Sequence, residues 1–464
     1  MKDNKTSAQQ KKIFFDKSLY KKNISLLKAN VNLVIDTVTV LGANGTMGRN
    51  ISAIFASFGA AKVYLVCRTK EKAEEAVIQA FQSIRSESIR DALIPATYDD
   101  LDMCISDSDL VFESLTEDID VKKDMYQKIL PYLKEKAIIS TGTSGLSIKE
   151  LSKSLGDKAN RLIGIHMFNP PYNLTLCELI IHDEEQRELS KMLKEYLSKT
   201  LNRTVVEVRD SPSFLGNRIG FFFINEVLNL AKENEDEGGI DYVDSILGCF
   251  TGRNMPPLVT ADFVGLDVTK SIIDYIKETN DDEFNECFVI PSFVNKLISE
   301  GKLGRKVNKG LYFKDRDRDL LFVYDIKQKQ YRLKNNYQFY YANEMIKSVQ
   351  TADYDKALEI LLNDESHEAV ICKQMLLKYI AYSLKISYEV STDIASCDDA
   401  MATGFSWIPP IALIDLFGGI DKVIELGKKY LEDKYLEVFN NQDIINCLPE
   451  KSKYDYRPYL KARY

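Results

Sequence analysis

The chain has 464 residues, a formal net charge of −8, 45% hydrophobic and 28% charged residues. That length exceeds one compact core, so two or three domains are expected; the acidic balance argues against nucleic acid as a partner, and no apolar run approaches the length needed to span a bilayer. The eight cysteines, at 67, 104, 177, 249, 287, 372, 397 and 447, form no CxxC pair, so no zinc ribbon, other metal set or dithiol motif is signalled, and a cytoplasmic protein with reduced thiols is expected.

Residues 1–36 read as an N-terminal extension, with a short helix or extended arm over 24–33. The extension is Lys-rich, lacks the apolar core of a signal peptide, and holds Asp3 and Asp16 but no Arg, which argues against a transit peptide. Residues 34–41, VIDTVTVL, are β-branched and apolar and predict a buried parallel strand. The run continues into Gly42-Ala43-Asn44-Gly45-Thr46-Met47-Gly48, then a helical pattern closed by Gly59 and a second strand over 62–67. Strand, Gly-rich turn, helix and strand form one βαβ unit. Its glycines let the backbone approach a pyrophosphate at the helix N-terminus, where free N–H groups and the dipole favour anions.

The spacing, G-x-x-G-x-x-G, departs from the dinucleotide fingerprint G-x-G-x-x-G; a tight turn with no ligand is the competing reading. NAD-binding units place an acidic residue at the end of the second strand to hold the ribose. This chain has Cys67-Arg68-Thr69-Lys70 there and no carboxylate before Glu71. Arg68, with Thr69 and Lys70 assisting, suits a 2′-phosphate, which favours NADP over NAD; the alternative is a solvated charge at a strand end.

Strands follow at 109–115 and 137–141, with a helix over 119–133 between them. The turn Thr143-Ser144-Gly145-Leu146-Ser147 lies at a strand's C-terminal end, the edge where open α/β sheets bind ligands. A helix over 148–155 and a strand over 161–165 lead to His166, one of only three histidines, the others being His182 and His367. His166 stands at a strand end with Glu178 twelve residues on. That pairing suits a general base with an orienting carboxylate, or a satisfied core histidine beside a structural glutamate. Residues 204–210 read as the last strand. From residue 214 the pattern is helical only, which marks a domain boundary near 210.

The helical half repeats. Residues 214–267 and 370–421 align at the two Pro-Pro pairs (Pro256-Pro257, Pro409-Pro410), at Asp262 and Asp415, and at Gly265 and Gly418. Asn217-Arg218 of the first copy becomes Lys373-Gln374 in the second. The expected organisation is an α/β Rossmann-type doubly wound sheet over 37–209, then two all-α domains, 210–325 and a degenerate repeat over 326–464. Residues 316–340 read as a linker or small hairpin.

With GANGTMG, FESLTEDIDVKKDM, STGTSGLSI, IGIHMFNPPYNLTLCE, DSPSFLGNR, VGLD and LGRKVNKGLYF in one order, the chain resembles the 3-hydroxyacyl-CoA dehydrogenases over about residues 36–315 and again in the second helical copy. The resemblance implies a nicotinamide coenzyme and a substrate that interconverts between (S)-3-hydroxyacyl-CoA and 3-ketoacyl-CoA. It implies that His166 takes the proton of the 3-hydroxyl, that Glu178 orients the imidazole, and that Ser144 and Asn217 hydrogen-bond the reacting oxygen. It puts Gly42, Asn44, Gly45, Thr46, Met47, Gly48, Arg68, Thr69, Glu117 and Lys122 at the coenzyme. By position, Lys122 and Lys123 are also candidates for a CoA phosphate. The family's turn N-T-S-S is altered, with Gly142 and Gly145 at its first and last positions. Family dimers form through the helical domain, so a fused second copy allows a monomer as well as a homodimer. Two other readings are a reductase acting on another acyl carrier or free acid, and a relative that kept the fold and lost turnover.

Overall fold

The computed structural model describes residues 33–84 and 89–464. Most of the N-terminal extension, including nearly all of the segment read as a helix or arm, lies outside the described residues.

Eight strands form the main sheet: β1 (Thr37–Leu41), β2 (Lys62–Cys67), β3 (Leu93–Thr97), β4 (Leu110–Glu113), β5 (Ile138–Thr141), β6 (Leu162–Met167), β7 (Leu176–Ile181) and β8 (Thr204–Arg209). Their order is β3-β2-β1-β4-β5-β6-β7-β8. The first six positions are parallel, β7 runs antiparallel to β6, and β8 is parallel to β7. The chain reverses direction across the sheet between β1 and β4, and this switch point is where such sheets open a ligand crevice.

Alternation along the strands feeds two cores. Val38, Val40, Val63 and Leu65 face one layer with Ile51, Ile54 and Phe55 of helix α1 (Thr46–Ser57) and Ala73, Ala76 and Ala80 of helix α2 (Lys70–Ile84). Leu41, Val66, Val111 and Ile139 face the other, with Met125, Tyr126 and Ile129 of helix α3 (Ile119–Ile129). This second core runs without a break into the helical half. The sequence reading missed β3 and β7. β3 contains Pro95, which weakens a strand signal but is tolerated at a sheet edge, and that is where the strand order places it.

The helical half contains the repeat. Its first copy has α4 (Gly216–Glu233), α5 (Pro257–Val264) and α6 (Leu266–Thr279); its second has α7 (His367–Val390), α8 (Pro410–Leu416) and α9 (Ile420–Tyr430). Equivalent carboxylates tie each copy together, all but Asp415 of them buried. Asp244 accepts from the amide of Leu258 at 2.8 Å and Asp398 from that of Ile411 at 2.7 Å, each at the start of the helix that follows a Pro-Pro pair. Asp262 accepts from Leu311 and Tyr312, and Asp415 from Ser452. The copies pack on each other. Phe222 stacks on Tyr382 at 3.9 Å, Arg253 bridges Trp407, and the Ile408 amide donates to Gly252 at 2.7 Å.

A three-stranded antiparallel sheet, β9 (Tyr312–Asp315), β10 (Leu320–Asp325) and β11 (Gln330–Leu333), lies between the copies. The hairpin expected within 316–340 is therefore present as β10 and β11, paired from Phe322–Leu333 to Asp325–Gln330. The expected division at 325/326 coincides with the end of β10, between the two strands of the hairpin, and Val323 and Tyr324 of that strand are buried in the core.

Candidate active site

The Gly-rich turn leaves β1 at the switch point and opens α1. Gly42 has φ 76°, and a Cβ there would stand 2.5 Å from the carbonyl oxygen of Ser114. A Cβ on Gly48 would lie 2.7 Å from the Gly42 oxygen. Gly45 is different: its φ is −70° and its nearest contact would be an ordinary 3.5 Å. Two of the three glycines are thus required by space, and the unusual spacing adds a residue without removing either. No side chain caps α1, so its first amides, which have no partner within the helix, remain for an anion. Asn44, Gly45 and Thr46 are exposed and Met47 partly so. Arg49, which the sequence reading passed over, sits in the first turn of α1 with its guanidinium 3.3 Å from the Thr46 hydroxyl; a cation directly after the last glycine is the signal for it. This turn fits a dinucleotide pyrophosphate.

At the end of β2, Arg68, Thr69 and Lys70 are exposed. The Thr69 hydroxyl accepts from the Lys72 amide at 3.3 Å and so caps α2. Among the described residues no carboxylate pairs with Arg68. The Cys67 thiol beneath it is pushed up by burial and stays neutral.

His166 and Glu178 are register partners across the antiparallel β6–β7 pair. Glu178 Oε2 lies 2.7 Å from His166 Nδ1. The other oxygen accepts from the amides of Leu215 at 3.0 Å and Gly216 at 2.7 Å, at the start of α4. Glu178 is fully buried and His166 5% exposed. A carboxylate at Nδ1 requires a proton there, which leaves Nε2 as the basic nitrogen. Phe168 and Phe214 pack on the ring at 4.6 and 5.7 Å between centroids.

Asn217 follows Gly216 in α4 and donates to the Ser144 carbonyl at 3.4 Å. The structure therefore brings Ser144, His166, Glu178 and Asn217 to one edge of the sheet, with Glu178 reaching from the sheet to the start of α4 and Asn217 reaching back from α4 to the Ser144 turn. The Ser144 turn is held from below. Glu117 accepts from the Ser144 amide at 2.8 Å and from the Thr143 hydroxyl. Lys122 lies 3.3 Å from Glu117 and 2.8 Å from Glu113. Glu113 also accepts from Thr141 at 2.7 Å and Tyr126 at 3.2 Å, and burial with the Glu113 charge raises the Tyr126 hydroxyl so that it remains a donor. Lys122 is 1% exposed. The expectation that it reaches a CoA phosphate is corrected on that ground: two carboxylates enclose its ammonium, and it acts as a brace under the Ser144 turn. Glu113, a charge inside an apolar strand, was the unread sign of this network.

Among the described residues no helix is long and apolar enough to cross a membrane, and no His, Cys, Asp or Glu cluster could hold a metal. The doubly wound sheet and its Gly-rich turn define a dinucleotide-binding protein. The family description "3-hydroxyacyl-CoA dehydrogenase, NAD binding domain" matches residues 37–211, and its C-terminal domain matches residues 214–314. The chain belongs to the 3-hydroxyacyl-CoA dehydrogenase family. It is 28% identical to a probable 3-hydroxyacyl-CoA dehydrogenase of Bacillus subtilis (strain 168), over 85% of this chain and 53% of that protein. The chain spans about half the length of the first curated relatives it matches. Among solved structures, an (S)-3-hydroxybutyryl-CoA dehydrogenase of Ralstonia eutropha is 29% identical, with a TM-score of 0.52 over 60% of this chain and 98% of that one. The fold of a 3-hydroxybutyryl-CoA dehydrogenase of Escherichia coli K12 matches over 89% of this chain and 99% of that one, with a TM-score of 0.67 at 18% identity.

Proposed function

We propose that this chain interconverts a 3-hydroxyacyl-CoA and the 3-ketoacyl-CoA. The observation that carries the reading is the His166–Glu178 pair, joined across β6 and β7 and tied through Glu178 to the start of α4. The coenzyme supplies the hydride acceptor or donor. His166 Nε2 takes the proton of the 3-hydroxyl in oxidation and returns it in reduction. Glu178 keeps the proton on Nδ1 and offsets the charge of the imidazolium, as a buried carboxylate beside a catalytic histidine does. The Ser144 hydroxyl and the Asn217 amide donate to the C3 oxygen and stabilise the charge that develops on it. The Glu113–Lys122–Glu117 network holds the Ser144 turn in place while this happens.

Arg68 and Thr69 occupy the position of the missing ribose-binding carboxylate, and we read the coenzyme as NADP. A guanidinium there suits a 2′-phosphate, and the cellular direction that follows is reduction of the ketoacyl thioester. The second helical copy packs on the first within one chain, and we read the protein as a monomer.

Acetoacetyl-CoA with NADPH or NADH, followed by loss of reduced-nicotinamide absorbance, tests the activity. Turnover is expected with both and a lower KM with NADPH. Equal rates for wild type and His166→Ala overturn the mechanism.

A further inference from the structure

The mechanism above takes nothing from the second helical copy, yet one side chain of that copy reaches the wall behind His166. Residues Met401–Phe405 form a π turn, followed by Ser406 at φ 54°. A π turn inserts a residue into a helix and redirects the side chains around it. This one presents Gly404 and Phe405 to the first half of the protein. A Cβ on Gly404 would stand 2.5 Å from Leu176 of β7. The Phe405 ring lies 5.1 Å from Trp407 behind it and 5.9 Å from Phe168 in front, between centroids.

Helix α4 makes room for that ring. Gly220 lies inside the helix, and any Cβ there would overlap the Phe405 ring. A glycine within a helix is less favourable than alanine, so α4 gives up intrinsic stability at the point where Phe405 enters. On the far side, Phe168 is confined by the backbone of Gly216, where a Cβ would be 2.9 Å from its ring. Phe168 then lies against His166 at 4.6 Å. Trp407, Phe405, Phe168 and His166 thus form one continuous series of packed rings.

The packing matters because Glu178 holds the imidazole through Nδ1 alone. That hydrogen bond sets the tautomer but leaves the ring free to tilt about it, and the tilt decides where Nε2 points. Phe168 and Phe214 together limit the tilt, and Phe405 keeps Phe168, the nearer of the two, from retreating. We propose that Phe405, in the second helical copy, is a positioning residue for His166 and acts through Phe168. This rests on the function proposed above.

The test uses the full chain with Phe405→Leu and Phe405→Ala. Kinetics with acetoacetyl-CoA and reduced coenzyme are combined with nuclear magnetic resonance of the histidine side chains, of which the chain has three; His166→Gln assigns the His166 signals. The expected result is a fall in kcat of about tenfold for Phe405→Ala, with a smaller fall for Phe405→Leu and coenzyme KM unchanged, as a small misplacement of a catalytic group produces. The His166 signals shift while those of His367 do not, and Phe405→Leu in a Phe168→Leu background adds little to the loss. Unchanged kcat and unchanged His166 signals in both variants overturn the proposal, whatever happens to the unfolding midpoint. If the wild type shows no turnover, the functional reading fails by itself, and the His166 signals still decide whether Phe405 positions that ring.

Discussion

Glu178 faces His166 directly across the β6–β7 pair, and its carboxylate bonds Nδ1 with one oxygen while the other receives two amides from the start of α4. One side chain therefore orients the imidazole and pins the helical half to the sheet at the same point. Glu178→Gln is expected to fail in both respects. The loss of the carboxylate lowers kcat by at least about 100-fold, in the range of general-base effects. Stability also falls by about 1–3 kcal/mol, because a neutral amide is a weaker acceptor for two buried N–H groups. His166→Ala is expected to match the kinetic loss, while both helix amides keep their acceptor. Steady-state kinetics beside denaturant unfolding of the two variants checks this separation.

Arg68 offers a second measurable quantity. With a carboxylate in its place, a ribose 2′-OH gains an acceptor and a 2′-phosphate meets repulsion. Arg68→Asp is expected to move the ratio of KM for NADPH to KM for NADH by at least about tenfold toward NADH, equivalent to roughly 1.4 kcal/mol. A ratio that does not move removes Arg68 from coenzyme selection.

Lys122 is enclosed by Glu113 and Glu117. Breaking a buried pair from one side leaves uncompensated charge and costs about 3–5 kcal/mol. Lys122→Met is expected to lower the unfolding free energy by that order, and adding Glu113→Gln is expected to restore part of it. The single variant also loosens Glu117 under the Ser144 turn, so kcat falls along with stability.

Asp398 is raised to about 7, first by burial, with Asp399 and Asp415 adding to the effect against the hydrogen bonds from Ser452 and Ile411. A carboxyl with a folded pKa above its unfolded one binds its proton more tightly when folded, so its contribution to stability is lost as pH rises from about 4 to about 7. Asp398→Asn removes this dependence. Subtracting the variant's unfolding free energy from that of the wild type, at each pH over that interval, is expected to give a difference that falls steadily with pH. A flat difference would show that the group titrates normally in the folded protein.

The local patterns carried much of the architecture. β-branched runs closed by glycine turns are legible as parallel strands because both faces of such strands are buried. The duplicated Pro-Pro, Asp and Gly positions marked two helical copies because each Asp caps or docks a segment of its own copy. β3 was not legible, since Pro95 is tolerated only because the strand lies at the edge, and the edge is a property of the whole sheet.

The site divided in the same way. His166, Glu178, Ser144 and Asn217 could be named as candidates from motifs, and the twelve-residue offset from His166 to Glu178 becomes a contact through a β6–β7 register that motif spacing does not state. Lys122 looked like a phosphate ligand because a lysine near a crevice carries the right charge; only the fold showed two carboxylates already enclosing it. Nothing near residue 405 suggested chemistry. Its ring reaches the wall behind His166 because the second copy folds back onto the first, and such long-range packing depends on where helices meet rather than on any residue's neighbours in the chain.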